Sequence, residues 1–190
     1  DWSVCAFGNI GGDLVNFPSK HGTLAGKDGW DFRRPGDKYV AENLKTMIAA
    51  GEDPLKQAIE QVHQQNQKLW MYLRPQAYTA EPPYDHILRS EFFAKHPELR
   101  CVEANGKPIS KLSIAFPEVR KNLNAILAEA LQRGADGLNI TFVRGYPCVR
   151  YEEPIVKLFK ERYGTDARLL PDSDPRLRLL WSEVMGGWLK

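Results

Sequence analysis

Short, compact apolar runs alternate with longer stretches in which apolar residues recur every three or four positions, and this alternation predicts strands separated by helices. The runs are DWSVCAFGNI at 1–10, KLWMYLRP at 68–75, KLSIA at 111–115 and GLNITFV at 137–143, each bounded by glycine, proline or a polar loop. The helical stretches begin with VAENLKTMIAAG at 40–51 and a segment opened by Asp53-Pro54, with Leu55, Ala58, Ile59 and Val62 on one face. The clearest is opened by Pro117, with Val119, Leu123, Ile126, Leu127 and Ala130 on one face and Gly134 at its end. A helix from Pro154 buries Ile155, Val156, Phe159 and Tyr163, and one from Asp174-Pro175 buries Leu177, Leu180, Trp181, Val184 and Trp188; a short helical piece is expected around SEFFAKHPEL. Aspartate before proline is a start signal with a physical cause: the carboxylate accepts free N–H groups of the first turn, and proline fits the first helical position.

Strands separated by helices of ten or more residues imply parallel pairing, because each crossover returns the chain to the same end of the sheet. The segments leaving the strands are long and aromatic (11–37, QAYTAEPPYDH, RGYPCVRYEE), whereas the helix-to-strand returns HQQNQK and QRGAD are short. That asymmetry is the one a (β/α) barrel shows when its site lies at the C-terminal face; a doubly wound sheet is the structural rival. The expectation is a single α/β domain over 1–190: a partial TIM-type barrel of about four parallel strands with intervening helices. Four strands are half of an eight-stranded barrel, so chain beyond Lys190, chain before Asp1 or a second copy forming a homo-oligomer is expected to complete it.

Composition narrows the partners more than it names them. The 190 residues carry 26 basic and 24 acidic side chains, net charge +2, with no run of five like charges, which gives no footprint of nucleic acid or an anionic membrane surface. No stretch approaches the ~18 apolar residues of a membrane span. Cys5, Cys101 and Cys148 are too few and too irregular for a disulfide framework or zinc site and read as packing residues; His21, His63, His86 and His96 lack ligand-pair spacing. No metal and no cofactor are expected.

Residues at and just after the strand ends point into a barrel's mouth. On the second strand Trp70, Tyr72 and Arg74 share a face by the two-residue period; on the fourth, Asn139, Thr141 and Val143 do, with Arg144 beyond. GGDLVNFPSK after the first strand, DPLKQAIEQVHQQNQKLWMYLRP, FFAKHPEL, LSIAFPEVRKNLNAIL and ADGLNITFVRGYP, in that order over about residues 4 to 165, resemble the bacterial (β/α)-barrel proteins known as family 10-like glycosyl hydrolases. The resemblance implies a barrel that cleaves or binds an oligo- or polysaccharide, and a secreted or periplasmic place; the residues by themselves leave the compartment open.

This chain departs from the family where it matters for chemistry. Thr141 stands at the second acidic position of the family's Asp-Gly-x-x-x-Asp pattern, Arg74 replaces an asparagine, and Phe116 replaces the asparagine that caps the long helix. Glycosidic cleavage needs one carboxyl to protonate the leaving oxygen and another as nucleophile or base, about 5–5.5 Å apart for retention and about 6.5–9.5 Å for inversion. The carboxyls available are Glu152 in RGYPCVRYEE, expected to face the mouth, and Asp13 in the first loop, which matches the family's acid there. Arg74, Arg144, Asn139 and Thr141 are the candidate polar contacts, and Tyr72, Tyr78, Tyr146 and Tyr151 the candidate sugar platforms. Glu153-Pro154 equally suits a helix start, and Asp136, at the beginning of its strand, reads as structural. Three readings therefore stand: a two-carboxylate glycoside hydrolase, a non-catalytic carbohydrate-binding barrel that has lost the strand-four acid, and a structural fragment of a barrel whose other half carries the chemistry.

Overall fold

The structure, a computed structural model, describes residues 4–8, 11–26, 32, 34–75, 89–142 and 148–189. Within them the chain is mixed α/β, with six α-helices and a three-stranded parallel sheet as its centre. Strand β1 (Val4–Gly8) pairs with β4 (Lys68–Leu73), and β4 with β7 (Gly137–Ile140), so neighbours in space follow chain order. Between β1 and β4 lie two two-residue strands, β2 (Leu14–Val15) and β3 (Thr23–Leu24), which pair with each other, then helices α1 (Pro35–Ala49) and α2 (Pro54–Gln64). Between β4 and β7 come α3 (Glu91–Lys95), β5 (Arg100–Val102), β6 (Pro108–Leu112) and α4 (Pro117–Gln132); α5 (Glu153–Tyr163) and α6 (Pro175–Trp188) follow β7.

The two-residue period of β4 decides how the sheet is covered. Leu69, Met71 and Leu73 are buried in the main apolar cluster with Leu55 and Ile59 of α2 and Val119, Leu123 and Ile126 of α4. Trp70 and Tyr72 point to the opposite face, which is open: Trp70 is 38% exposed and Val4 48%. Two glycines let the rings lie across neighbouring strands. A Cβ on Gly137 would come within 2.8 Å of the Trp70 indole, and one on Gly8 within 3.3 Å of the Tyr72 ring.

Three of the four expected strands form the parallel sheet, and KLSIA is the correction. Its first residues close an antiparallel pair with β5, with Arg100 opposite Leu112 and Val102 opposite Pro108. The cause is the Glu103–Lys107 turn: Gly106 has φ +84°, its N–H donates to the Glu103 carbonyl, and the Asn105 side chain accepts from the Lys107 N–H. No closed barrel is present among the described residues. Helix α1 begins at Pro35, five residues before the expected start, with proline in its first turn and Asp37 near its positive end.

Candidate functional site

The loop after β1 folds back over the downstream ends of two strands. The Gly12 N–H donates to the Arg74 carbonyl just past β4 (2.9 Å), and the Asn16 amide donates to the Gly8 carbonyl that ends β1 (3.1 Å). The Thr141 N–H donates to the Leu73 carbonyl, which carries the ladder one residue beyond β7. Asp13, Tyr72, Arg74, Asn139 and Thr141 are thereby brought to the C-terminal edge of one parallel sheet, where α/β folds place their sites.

Asp13 is fully buried, and neither of its carboxylate oxygens has a hydrogen-bond partner among the described residues. Burial pushes its pKa up to about 6 from an ordinary 3.8; the hydroxyls of Ser90 and Thr23 beside it hold the rise back. Each of those hydroxyls also accepts a backbone N–H. Ser90 Oγ accepts the Phe93 N–H (3.0 Å) and Thr23 Oγ1 accepts the Glu91 N–H (3.0 Å), which leaves each hydroxyl proton available to the acid.

Glu91, whose place the sequence does not announce, reaches this neighbourhood through its backbone N–H, which donates to Thr23. Its side chain is ion-paired with Lys95 at 3.0 Å and partly exposed. Its sequence signal is SEFF, a serine N-cap followed by an acid in the first helical turn.

Glu152, expected to face the mouth, is fully buried before α5, and both of its oxygens accept the Arg150 N–H (3.0 and 2.9 Å). Burial raises its pKa, and the hydrogen bonds from the Arg150 backbone and the Cys101 thiol oppose the rise. The same surroundings push the Cys101 thiol well up, through burial first and Glu152 second. Tyr151 is buried beside it: its hydroxyl donates to Asp172 (2.5 Å) and its ring stands edge-on to Trp181 with centroids 5.7 Å apart.

At the rim, the Thr141 hydroxyl donates to Asn139 Oδ1 (2.7 Å). The Arg74 guanidinium lies 6.0 Å from the Tyr72 ring centre, at the outer limit of a cation–π contact. Tyr78, Arg144 and Tyr146 lie outside the described residues. Asp136 is structural as expected: its carboxylate accepts the Leu69 N–H and contacts His63 Nε2, both at 2.8 Å, and His63 first, then Leu69, lowers its pKa. Among the described residues no group of three or more His, Cys, Asp or Glu is placed to hold a metal ion, and no helix is long and apolar enough to cross a membrane. Set against protein-family models and against curated proteins, the chain matches none of them.

Proposed function

We propose that this chain is the acid-bearing part of a glycoside-hydrolase-like (β/α) barrel and acts on an oligo- or polysaccharide, with Asp13 as its proton-transferring carboxyl. The observation that carries the reading is Asp13 itself. A carboxyl taken out of water without a partner destabilises the folded chain while it is ionised, and such groups cluster where chemistry needs them. An acid that titrates near 6 stays partly protonated near neutral pH, as donation to a leaving oxygen requires. Contact with a glycosidic oxygen requires the side chains enclosing Asp13 to part. Glu91, ion-paired with Lys95, is the second carboxyl in this proposal. The polar rim of Arg74, Asn139 and Thr141 and the ring of Tyr72 then orient the sugar.

Within the same proposal the three parallel strands in chain order are consecutive staves of a barrel, with α2 and α4 on its outside and the Trp70–Tyr72 face turned inward. Glu152, held on the Arg150 N–H, is a structural acid.

A second reading, the non-catalytic carbohydrate-binding barrel, is favoured by one specific observation: the Thr141 hydroxyl, in place of an acid, is spent on Asn139. The test is reducing-end release and calorimetric binding on a panel of soluble polysaccharides, for wild type, Asp13→Asn, Glu91→Gln and Glu152→Gln. The hydrolase reading expects Asp13→Asn to lose about 100-fold or more in turnover with binding retained, and Glu152→Gln to keep turnover. Binding by wild type without turnover supports the second reading, and neither binding nor turnover overturns both.

A further inference from the structure

The carboxylate of Glu129 has no part in the site just described, yet it is almost fully buried (6% exposed), on a helix that otherwise turns apolar residues inward. Both of its oxygens are used on the first loop. The Ser19 hydroxyl donates to Oε2 (2.5 Å) and the Lys20 N–H to Oε1 (2.8 Å). Ser19 Oγ in turn accepts the N–H groups of His21 (3.1 Å) and Gly22 (2.7 Å), so the carboxylate fixes the hydroxyl that fixes the turn. At the C-terminal cap of α4, Arg133 grips the same loop: its guanidinium donates to the Pro18 carbonyl, pairs with Asp53 at 2.7 Å and lies 4.8 Å from the centre of the buried Phe17 ring.

The turn that Glu129 holds packs directly on Asp13. Gly22 lies so close to the chain it folds against that a Cβ there would come within 2.7 Å of Val15 Cγ1 and 3.0 Å of the Asp13 carbonyl oxygen. The next N–H, that of Thr23, donates to the same Asp13 carbonyl at 2.7 Å, and Thr23 then presents its hydroxyl to the Asp13 side chain. A continuous series of short contacts therefore runs from Glu129 through Ser19, Gly22 and Thr23 to Asp13.

We propose that Glu129 is a positioning residue for Asp13: by clamping the Ser19–Gly22 turn from α4 it keeps the Asp13 carboxyl enclosed at the C-terminal edge of the sheet. The proposal rests on the reading of Asp13 as the site's acid. A purely local role for Glu129 would stabilise α4 and the turn and leave the environment of Asp13 unchanged. A positioning role alters that environment when the clamp is cut.

The experiment is a carboxyl-carbon NMR titration of aspartate-labelled full chain, wild type against Glu129→Ala, Glu129→Gln and Ser19→Ala, with backbone amide shifts of β1, β4 and β7 as the control for the fold. Glu129→Ala is expected to lower the Asp13 midpoint by about one pH unit or more, as water reaches the loosened loop, with the sheet amides unmoved. Glu129→Gln, which keeps one acceptor and loses the charge, is expected to fall between it and wild type. An Asp13 midpoint identical in wild type and Glu129→Ala, with the amides of 17–22 shifted, overturns the proposal. Should Glu129→Ala fail to fold, Ser19→Ala decides: it cuts the same relay one contact later and is expected to lower the midpoint in the same direction, and an unchanged midpoint there overturns the proposal equally. The titration needs no sugar. A polysaccharide panel that draws neither binding nor turnover from wild type removes the carbohydrate reading, while the titration separately reports whether Glu129 sets the state of Asp13.

Discussion

A single buried carboxyl has consequences that can be measured apart from any activity. Asp13 ordinarily titrates at 3.8 and in the fold at about 6, so the folded chain favours its protonated form. Below the lower value both states carry the proton and nothing is lost; as pH rises through the upper value the folded state must hold a charge the unfolded state holds more easily. Asp13→Asn is therefore expected to match wild type in thermal stability near about pH 4 and to exceed it near about pH 8 by up to about 3 kcal/mol. Thermal unfolding at the two pH values checks it, and a variant less stable than wild type at the higher pH contradicts it. Glu152 predicts the opposite kind of result. Its oxygens satisfy the Arg150 N–H, so Glu152→Ala leaves a donor unmet under α5 and should cost about 2 kcal/mol, whereas Glu152→Gln, with an acceptor left, should cost about 1 kcal/mol or less by urea denaturation.

At the scale of elements, cap chemistry was the most legible part of the sequence. Asp53 accepts the N–H groups of Leu55 and Lys56 (both 3.1 Å), and its other oxygen holds Arg133. Asp53→Ala should cost about 1–2 kcal/mol in urea denaturation, with Asp53→Asn recovering the cap and not the ion pair. The helical period likewise found the buried faces of α2 and α4, because an amphipathic stripe is written in the side chains themselves. KLSIA was misread because a short apolar run does not say which strand it will pair with. The direction was written in Asn105-Gly106, a hairpin signal eight residues upstream of Ser113, and that signal outranks the rhythm of the larger fold. Gly26 marks another contact the sequence does not announce. It has φ +78° and sits against Ala41 of α1, so Gly26→Ala is strained twice and should lower stability by about 2 kcal/mol or more on thermal unfolding.

For the molecule as a whole, the parallel pairing of three strands was accessible from the alternation of strands and helices, while the direct pairing of β4 with β7, without KLSIA between them, was not. The rim positions Tyr72, Arg74, Asn139 and Thr141 followed from counting along strands, and the structure does bring them to one edge with Asp13. Glu152 was expected at that edge because it stands in the loop after the last parallel strand, but sequence distance does not reveal that Cys101 of β5 and the Arg150 backbone enclose it. Glu129 was invisible for the same reason: on a helical face read as apolar, a carboxylate reads as a solvated neighbour until the loop it holds is seen. Gly137 shows a further consequence of the three-strand arrangement. Because its bare backbone supports the Trp70 indole, Gly137→Ala must displace the ring, and a shift in tryptophan emission between the two proteins reports it.

At the end of two parallel strands one carboxyl, that of Asp13, is kept from water and poised to hold its proton. The carboxyl-carbon titration of Asp13 in the wild-type chain tests this most directly. A midpoint near 6 is what the burial predicts, and a midpoint at or below the ordinary 3.8 would show a solvated or charge-paired carboxylate and contradict it.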